Sequence, residues 1–464
     1  MSINRKRIVV IGGGINGLAA AWSAWEASGQ GPVDVVLLEA SSQIGGKARS
    51  RKSDGWLFEE GPTGFLEGDE ALQGLIERSG LDAIPANQLA ARRYVVRGGR
   101  TREMVMKPFE FALSGILSPG GILRMLREPW IPKGDSTNES IWDFAARRLG
   151  PQVADRLIAP MTLGVFAGDS HNISLPAAFP LMAELERRHG SLFRALLAKF
   201  EVDAEKGGVR KVPGKRLCSF KDGMQSLPIA LADQAPFEVR VNAAVVDLRP
   251  NEGAWELSVE GFPTPLHADA VVLSCDAHTS AKLLGKVLPV VSEELAGISI
   301  PGMSVVGLGF TEKRAINRLP TGFGVLIPRD EGFRTLGCLF DAQLFLERAP
   351  EGQMLVRCMI GGATDSAAAT LTDNELLGIA IDDVKRLFGI QDNPSVYEIA
   401  RWRGAIPQYE LGHMERVHRI DAELGRFAEI QPGLHLAGCH ARGVAFGKTA
   451  AEGWRVGELA AEAL

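Results

Sequence analysis

Apolar positions along this chain fall into two rhythms. Arg7 to Ile11 is a continuous run dominated by β-branched residues, and Val33 to Leu38 is a second; each suits a strand buried on both faces. Between them, Gly17 to Ala27 is Ala-rich and free of proline, which predicts a helix. At the other end, LHLAGCHARGVAFG (434–447) reads as a short strand entering a glycine-containing turn, followed by an Ala-rich helix over Thr449 to Leu464. One uncharged stretch, FALSGILSPGGIL (111–123), holds a proline and three glycines. It is too short to cross a bilayer, which needs roughly 20 apolar residues. Met104, Met106, Phe109, Met125 and Trp130 surround it, with Lys107, Arg124 and Arg127 at its margins. Two readings stand: a surface that lies on a membrane, or a helical hairpin closing over a core.

No fixed-period repeat or low-complexity tract is visible, so organisation must come from motifs. Strand, helix and strand in the N-terminal order form a parallel crossover unit, and its turn reads IGGGING, with Gly12, Gly14 and Gly17 in GxGxxG spacing. Gly12 permits the tight turn, Gly14 lets backbone approach a pyrophosphate, and Gly17 lets the helix pack close to the strand. Gly13, Ile15 and Asn16 complete the loop, whose helix N-terminus offers free N–H groups and a positive dipole end. Glu39 ends the second strand, where a carboxylate accepts from ribose hydroxyls. Dinucleotide binding follows, and the spacing alone does not separate NAD from FAD.

A chain of 464 residues implies two or three domains. The net charge of −5 gives no reason to expect nucleic acid. Five cysteines, odd in number and without a CxxC pair, indicate neither a disulfide framework nor a zinc site. A reducing compartment fits, and the apolar run before the glycines is too short for a signal-peptide core, so the expected location is the cytoplasm. His171, His189 and His413 lack metal-ligand spacing, so no metal is expected. Asp276 and His278 lack a serine on a nucleophile elbow. Cys439 is read as a buried structural thiol.

Further segments carry resemblances. Gly45, Gly46 and Lys47 in ASSQIGGKARS resemble the second glycine signature of the glutathione-reductase-type flavoproteins. GWLFEEGPTGF (55–65), KDGMQSLPIALADQA (221–235) with the strands after it, and the 434–447 turn resemble the FAD-contacting segments of the amine oxidase superfamily. The resemblance implies FAD, with Gly46, Lys47, Gly61, Pro62, Thr63, Val246, Trp402, Gly438, Val444 and Ala445 added to the loop residues and Glu39 as cofactor contacts. It also implies an α/β fold: a discontinuous Rossmann-like FAD domain of glutathione-reductase type, a mixed-sheet substrate domain, and an inserted helical domain that is a candidate for membrane association. The expected division is FAD segments at 1–80, 211–294 and 425–464, substrate segments at 81–103 and 295–424, and the helical insertion at 104–210.

The inserted motifs narrow the resemblance. GVFAGDSHNIS (164–174), AFP (178–180), LERRHGSL (185–192), RRYVVRGG (92–99), GFGVLIP (322–328), CMIGG (358–362) and AIPQYELGH (405–413) are similar to the protoporphyrinogen oxidase family. That family places Arg93 at a substrate propionate, Gly164 beside the tetrapyrrole, Phe323 and Leu326 along the macrocycle, and Met359 facing it. The implied reaction is oxidation of a porphyrinogen to the porphyrin in haem biosynthesis by three hydride transfers to flavin N5, with molecular oxygen as acceptor. No catalytic dyad stands out, and the stabilisation of the aromatic product asks for positioning rather than a strong base. Protoporphyrinogen IX is favoured by the apolar 104–130 segment; the arginines at 92, 93, 97, 100 and 102 leave coproporphyrinogen III as the alternative. A flavin amine oxidase or desaturase would share the FAD segments, but residues 439–442 supply no aromatic pair. A homodimer and peripheral contact with the inner face of the cytoplasmic membrane stay open. Both Gly164 and Gly168 are expected to be small because chain or macrocycle passes close.

Overall fold

The computed structural model describes residues 5–29, 33–105, 107–135, 138–205 and 215–464. Lys6–Ile11 forms the middle strand of a five-stranded parallel sheet, ordered 238–240, 33–38, 6–11, 270–273, 434–436. Val9 pairs with Val36 on one side and Val271 on the other. Both faces are covered, which is why these strands are continuously apolar. Ile8 and Val10 pack with Leu18, Ala450 and Val456 of two helices, while Val9 and Ile11 pack with Trp255 and Leu257 of a three-stranded antiparallel sheet. Three distant stretches of chain thus build one sheet.

The first helix is Ile15–Ala27, two residues longer at its start than the Ala-rich pattern predicts, because Gly14 caps it and Gly17 already lies inside it. A Cβ at Gly17 would stand 1.9 Å from the Gly12 carbonyl oxygen, so only glycine lets the helix begin there. The last helix is Phe446–Glu462 rather than 449–464, and it crosses the first in direct backbone contact. A Cβ at Gly453 would lie 2.0 Å from the Asn16 carbonyl oxygen, and one at Gly457 2.1 Å from that of Ala20.

A second, seven-stranded mixed sheet runs in the order 396–402, 303–310, 354–361, 335–339, 324–326, 94–97, 100–103. Its pairs are antiparallel except Gly324–Leu326 with Tyr94–Arg97. One face carries the core of Val306, Leu308, Val356, Cys358 and Ile360, against the helix Asp373–Phe388. The expected fold class is the observed one.

Short helices Pro108–Leu113 and Pro119–Leu126 lie over the end of this sheet. Ile116 and Leu117 between them are buried against Val95 and Val153, whereas Phe109, Leu113, Leu123, Leu126 and Trp130 are exposed. The hairpin therefore closes a core with one face and presents apolar side chains on the other. Among the described residues no helix is long and apolar enough to cross a membrane. Met106 lies outside the described residues, as does the 210/211 boundary. The segment is pinned from within by Glu128 and Arg148, both fully buried and ion-paired. Glu128 also accepts from Ser191 Oγ and the Leu192 N–H.

The stretch LGVFAGDSHNISL (163–175) combines a helix end with two extended bridges. Gly164 sits in the helix Ala159–Phe166, which ends at Ala167 in the left-handed conformation (φ 49°). Ile173 and Ser174 then bridge to Glu410 and Ser140.

Candidate functional site

The glycine turn of the parallel sheet builds the first half of the site. Gly12 has φ 116°, which disfavours any side chain, and its N–H donates to the Leu38 carbonyl at 2.8 Å. The Gly13 N–H donates to Glu39 Oε2 at 2.6 Å, and Ser41 donates to Oε1 through both N–H and hydroxyl. The Glu39 carboxylate is thereby fixed at the strand end. Gly45 N–H reaches the Gly13 carbonyl at 2.9 Å, so the second glycine pair lies beside the first.

At Gly14 the surroundings open: a Cβ there would meet only the Gly46 Cα, at 3.8 Å. The helix Ile15–Ala27 has no side-chain cap and no acidic residue in its first turn, and the same holds for Phe446–Glu462. Asn16 Nδ2 donates to the Thr449 carbonyl at 2.7 Å, so these two uncapped helix starts are neighbours. Two positive dipole ends beside a cradle that only glycine leaves open fit the phosphates of a dinucleotide. Gly438 (φ 138°) and the half-buried Val444 and exposed Ala445 line the turn that leads into the second helix.

That turn is held by a residue the sequence reading passed over. The Tyr409 hydroxyl donates to the Cys439 carbonyl and accepts from the Gly443 N–H at 2.7 Å. Its ring stacks on His413 at 4.2 Å. Burial pushes the Tyr409 phenol well up, so it stays neutral, and burial pulls His413 and His440 each down to about 4. Cys439 is half-buried, and burial raises its thiol.

Lys47 Nζ donates to the Ala405 carbonyl at 2.5 Å, tying the second glycine signature to AIPQYELGH. Gly61 is packed so that a Cβ would fall 1.9 Å from the Lys47 carbonyl oxygen, with Pro62 and Thr63 following it, half-buried. Trp402 Nε1 donates to the Glu60 carbonyl at 2.6 Å. Val246 is exposed, whereas its neighbour Val245 is half-buried. The Ala243 N–H donates to the Glu39 carbonyl, so this segment does lie beside Glu39.

On the mixed sheet, register brings the apolar candidates together. Leu326 pairs with Gly337 and Gly337 with Met359, so all three share one face. A Cβ on Gly337 would come 3.8 Å from Met359 Cε, and one on Gly164 would come 3.0 Å from Leu326 Cδ2. Gly164 is solvent-facing while Gly168 is buried, packed by the chain itself: a Cβ there would be 2.2 Å from Gln408 Oε1. At the edge, the Arg93 guanidinium lies over the Phe323 ring at 5.2 Å. Arg93 is exposed and makes no ion pair among the described residues, whereas Arg97 pairs with Asp330 and Glu331. On the same face as Met359 and two residues before it, Arg357 is buried among carbonyls and Asp341, a cluster whose only sequence signal is one charge inside the apolar strand MLVRCMIG.

Comparison with known proteins gives the family. The family model described as flavin containing amine oxidoreductase matches residues 15–464. Protoporphyrinogen oxidase 2, chloroplastic/mitochondrial, of Arabidopsis thaliana is 30% identical, over 99% of this chain and 94% of its own. The coproporphyrinogen III oxidase of Bacillus subtilis (strain 168) is 28% identical, over 96% and 95%. Among solved structures, a protein from Exiguobacterium sp. 255-15 superposes with a TM-score of 0.84 at 24% identity, covering 98% of this chain and 99% of that one. Cyclohexylamine oxidase from Brevibacterium oxydans IH-35A gives 0.70 at 16%, covering 99% and 98%. The chain belongs to the flavin-containing amine oxidoreductase family and is an FAD-dependent oxidoreductase.

Proposed function

We propose that the protein oxidises a porphyrinogen to the porphyrin in haem formation, with protoporphyrinogen IX as the favoured substrate. The observation that carries the reading is the row Leu326, Gly337 and Met359, with a glycine at its centre, Gly164 on one side and, at its edge, Arg93, which makes no ion pair among the described residues. An apolar row with an exposed cation at its edge suits a macrocycle whose polar groups are carboxylates on its rim. Phe323 orients the guanidinium, and Leu326 and Met359 exclude water from the ring's face. The glycine turn, Glu39 and the 438–445 turn hold the cofactor. Bound FAD supplies a two-electron acceptor that oxygen reoxidises, and three rounds complete the oxidation.

Relatives named for either porphyrinogen are similar to this chain, so the preference rests on the pocket. Coproporphyrinogen III carries two propionates where protoporphyrinogen IX has vinyls, and Arg97 is already committed to Asp330 and Glu331. Purified holoenzyme, given each porphyrinogen with oxygen as acceptor, should form fluorescent porphyrin faster from protoporphyrinogen IX. A faster coproporphyrinogen rate reverses the preference, and no porphyrin from either ends the reading.

The exposed face of the 108–130 hairpin supports peripheral contact of a cytoplasmic enzyme with a membrane. Phe109, Leu113 and Trp130 are 76%, 72% and 75% exposed, beside exposed Lys107 and Arg127. Co-sedimentation with anionic vesicles should fall sharply for Phe109→Ser/Trp130→Ser; unchanged partition refutes the contact.

A further inference from the structure

Two glycines and buried donors dock the 56–63 segment onto the sheet face that carries Met359. Gly307 and Gly309 are bare of side chains where Phe58 and Trp56 lie: a Cβ on Gly307 would meet Phe58 Cδ1 at 2.5 Å, and one on Gly309 would meet the Trp56 ring at 2.8 Å. Arg357, two residues before Met359 on the same strand and hence on the same face, is 3% exposed. Its Nη1 donates to the Glu59 carbonyl at 2.9 Å and the Gly61 carbonyl at 2.8 Å, and its Nη2 donates to Thr63 Oγ1. Trp402 takes the carbonyl between, that of Glu60. Nε of Arg357 stands 2.8 Å from Asp341 Oδ2, and Asp341 is itself buried. A plain structural ion pair would end at Asp341; this guanidinium instead spends its remaining donors on three successive points of one loop.

We propose that Arg357 is a positioning residue: it fixes the height of the cofactor-facing segment 59–63 above the floor formed by Leu326 and Met359. The inference rests on the reading of Gly61, Pro62 and Thr63 as flavin neighbours. One side chain on the substrate sheet grips the cofactor segment, so the separation of the two reacting partners is set by a rigid fork rather than by a domain interface. Displacement of about 1 Å in such a site costs roughly a hundredfold in rate. Lysine cannot replace the fork, because it has one nitrogen and no planar geometry.

Two holoenzyme variants test this. Arg357→Lys keeps a charge beside Asp341, and Arg357→Met/Asp341→Asn removes both charges so that neither is left buried alone. Each variant should load FAD, show an altered visible circular dichroism of the bound flavin, and reduce it at least roughly tenfold more slowly with saturating porphyrinogen, with KM within about threefold of wild type. Wild-type flavin dichroism with a wild-type reduction rate overturns the proposal, as does a rise in KM alone. If neither variant folds, Arg357 holds the domain and not the cofactor, and the proposal fails. If the wild-type flavin is not reduced by either porphyrinogen, the functional reading fails on its own, and the dichroism still decides the role of Arg357.

Discussion

Replacing Tyr409 by phenylalanine removes one oxygen from the turn that leads into the last helix. The side chain is 1% exposed, and its ring packs on His413 and Phe166, contacts that phenylalanine retains. What is lost is the bridge from the Cys439 carbonyl to the Gly443 N–H. A buried partner left unpaired costs about 1–3 kcal/mol, so two part-buried ones together cost about 2–3 kcal/mol. Both orphaned groups belong to the stretch that carries Gly438, Val444 and Ala445, so the loss divides between folding and cofactor binding. If about half falls on binding, FAD dissociates roughly tenfold more readily, since 1.4 kcal/mol is a factor of ten. The assay is flavin fluorescence on titration of apoprotein with FAD, paired with thermal unfolding of both forms. Tyr409→Phe should lower the Tm of the holoprotein more than that of the apoprotein, because bound ligand contributes in proportion to its affinity. Wild-type FAD affinity with a reduced apoprotein Tm would refute the reasoning, showing that the bridge serves helix packing alone.

Arg93→Ala should raise the porphyrinogen KM roughly 10-fold to 100-fold, the worth of a charge-assisted hydrogen bond to a carboxylate, with FAD content unchanged; an unaltered KM removes Arg93 from the substrate's reach. Gly164→Val forces a branched side chain toward Leu326 Cδ2, 3.0 Å from the first added carbon, and should cut turnover more than FAD content; equal loss of both would make the position structural. Below neutrality the buried histidines should destabilise the protein. His413 and His440 are held to about 4 by burial against about 6.5 when unfolded, so the unfolded chain binds the extra protons between these values. Their contribution is full above pH 6.5 and is lost as pH falls toward 4, by up to roughly 3 kcal/mol each. Tm measured across that range should fall more steeply for wild type than for His440→Phe, and parallel curves would count against it.

The cofactor half of the site was legible because its constraints are local. Gly12, Gly14 and Gly17 answer to one turn, Glu39 to the end of the next strand, and each announces itself by residue type at a fixed spacing. Leu326 and Met359 were nameable only through resemblance, since an apolar residue in a strand is core by default and only the pairing through Gly337 shows that these two share a face. The helix that holds Gly164 is not legible in its two-glycine motif, because its stop signal is Ala167 in a left-handed conformation, which composition does not mark. Tyr409 sat inside a quoted motif without a role, for its partners are backbone groups some 30 residues away. Arg357 reaches carbonyls almost 300 residues earlier, and no periodicity records a contact of that separation.

The parallel sheet has an implication for how the protein is made. Its strand 434–436 pairs with 270–273, and the helix after it is in backbone contact with the helix that follows the first strand, through Gly453 on Asn16 and Gly457 on Ala20. The IGGGING loop is synthesised well before the helix that buttresses it, which follows more than 400 residues later in the chain. A chain whose residues 446–462 have not yet been made therefore lacks one wall of the candidate cofactor site. The face of the first helix that Gly453 and Gly457 meet stays uncovered until the last helix has been made.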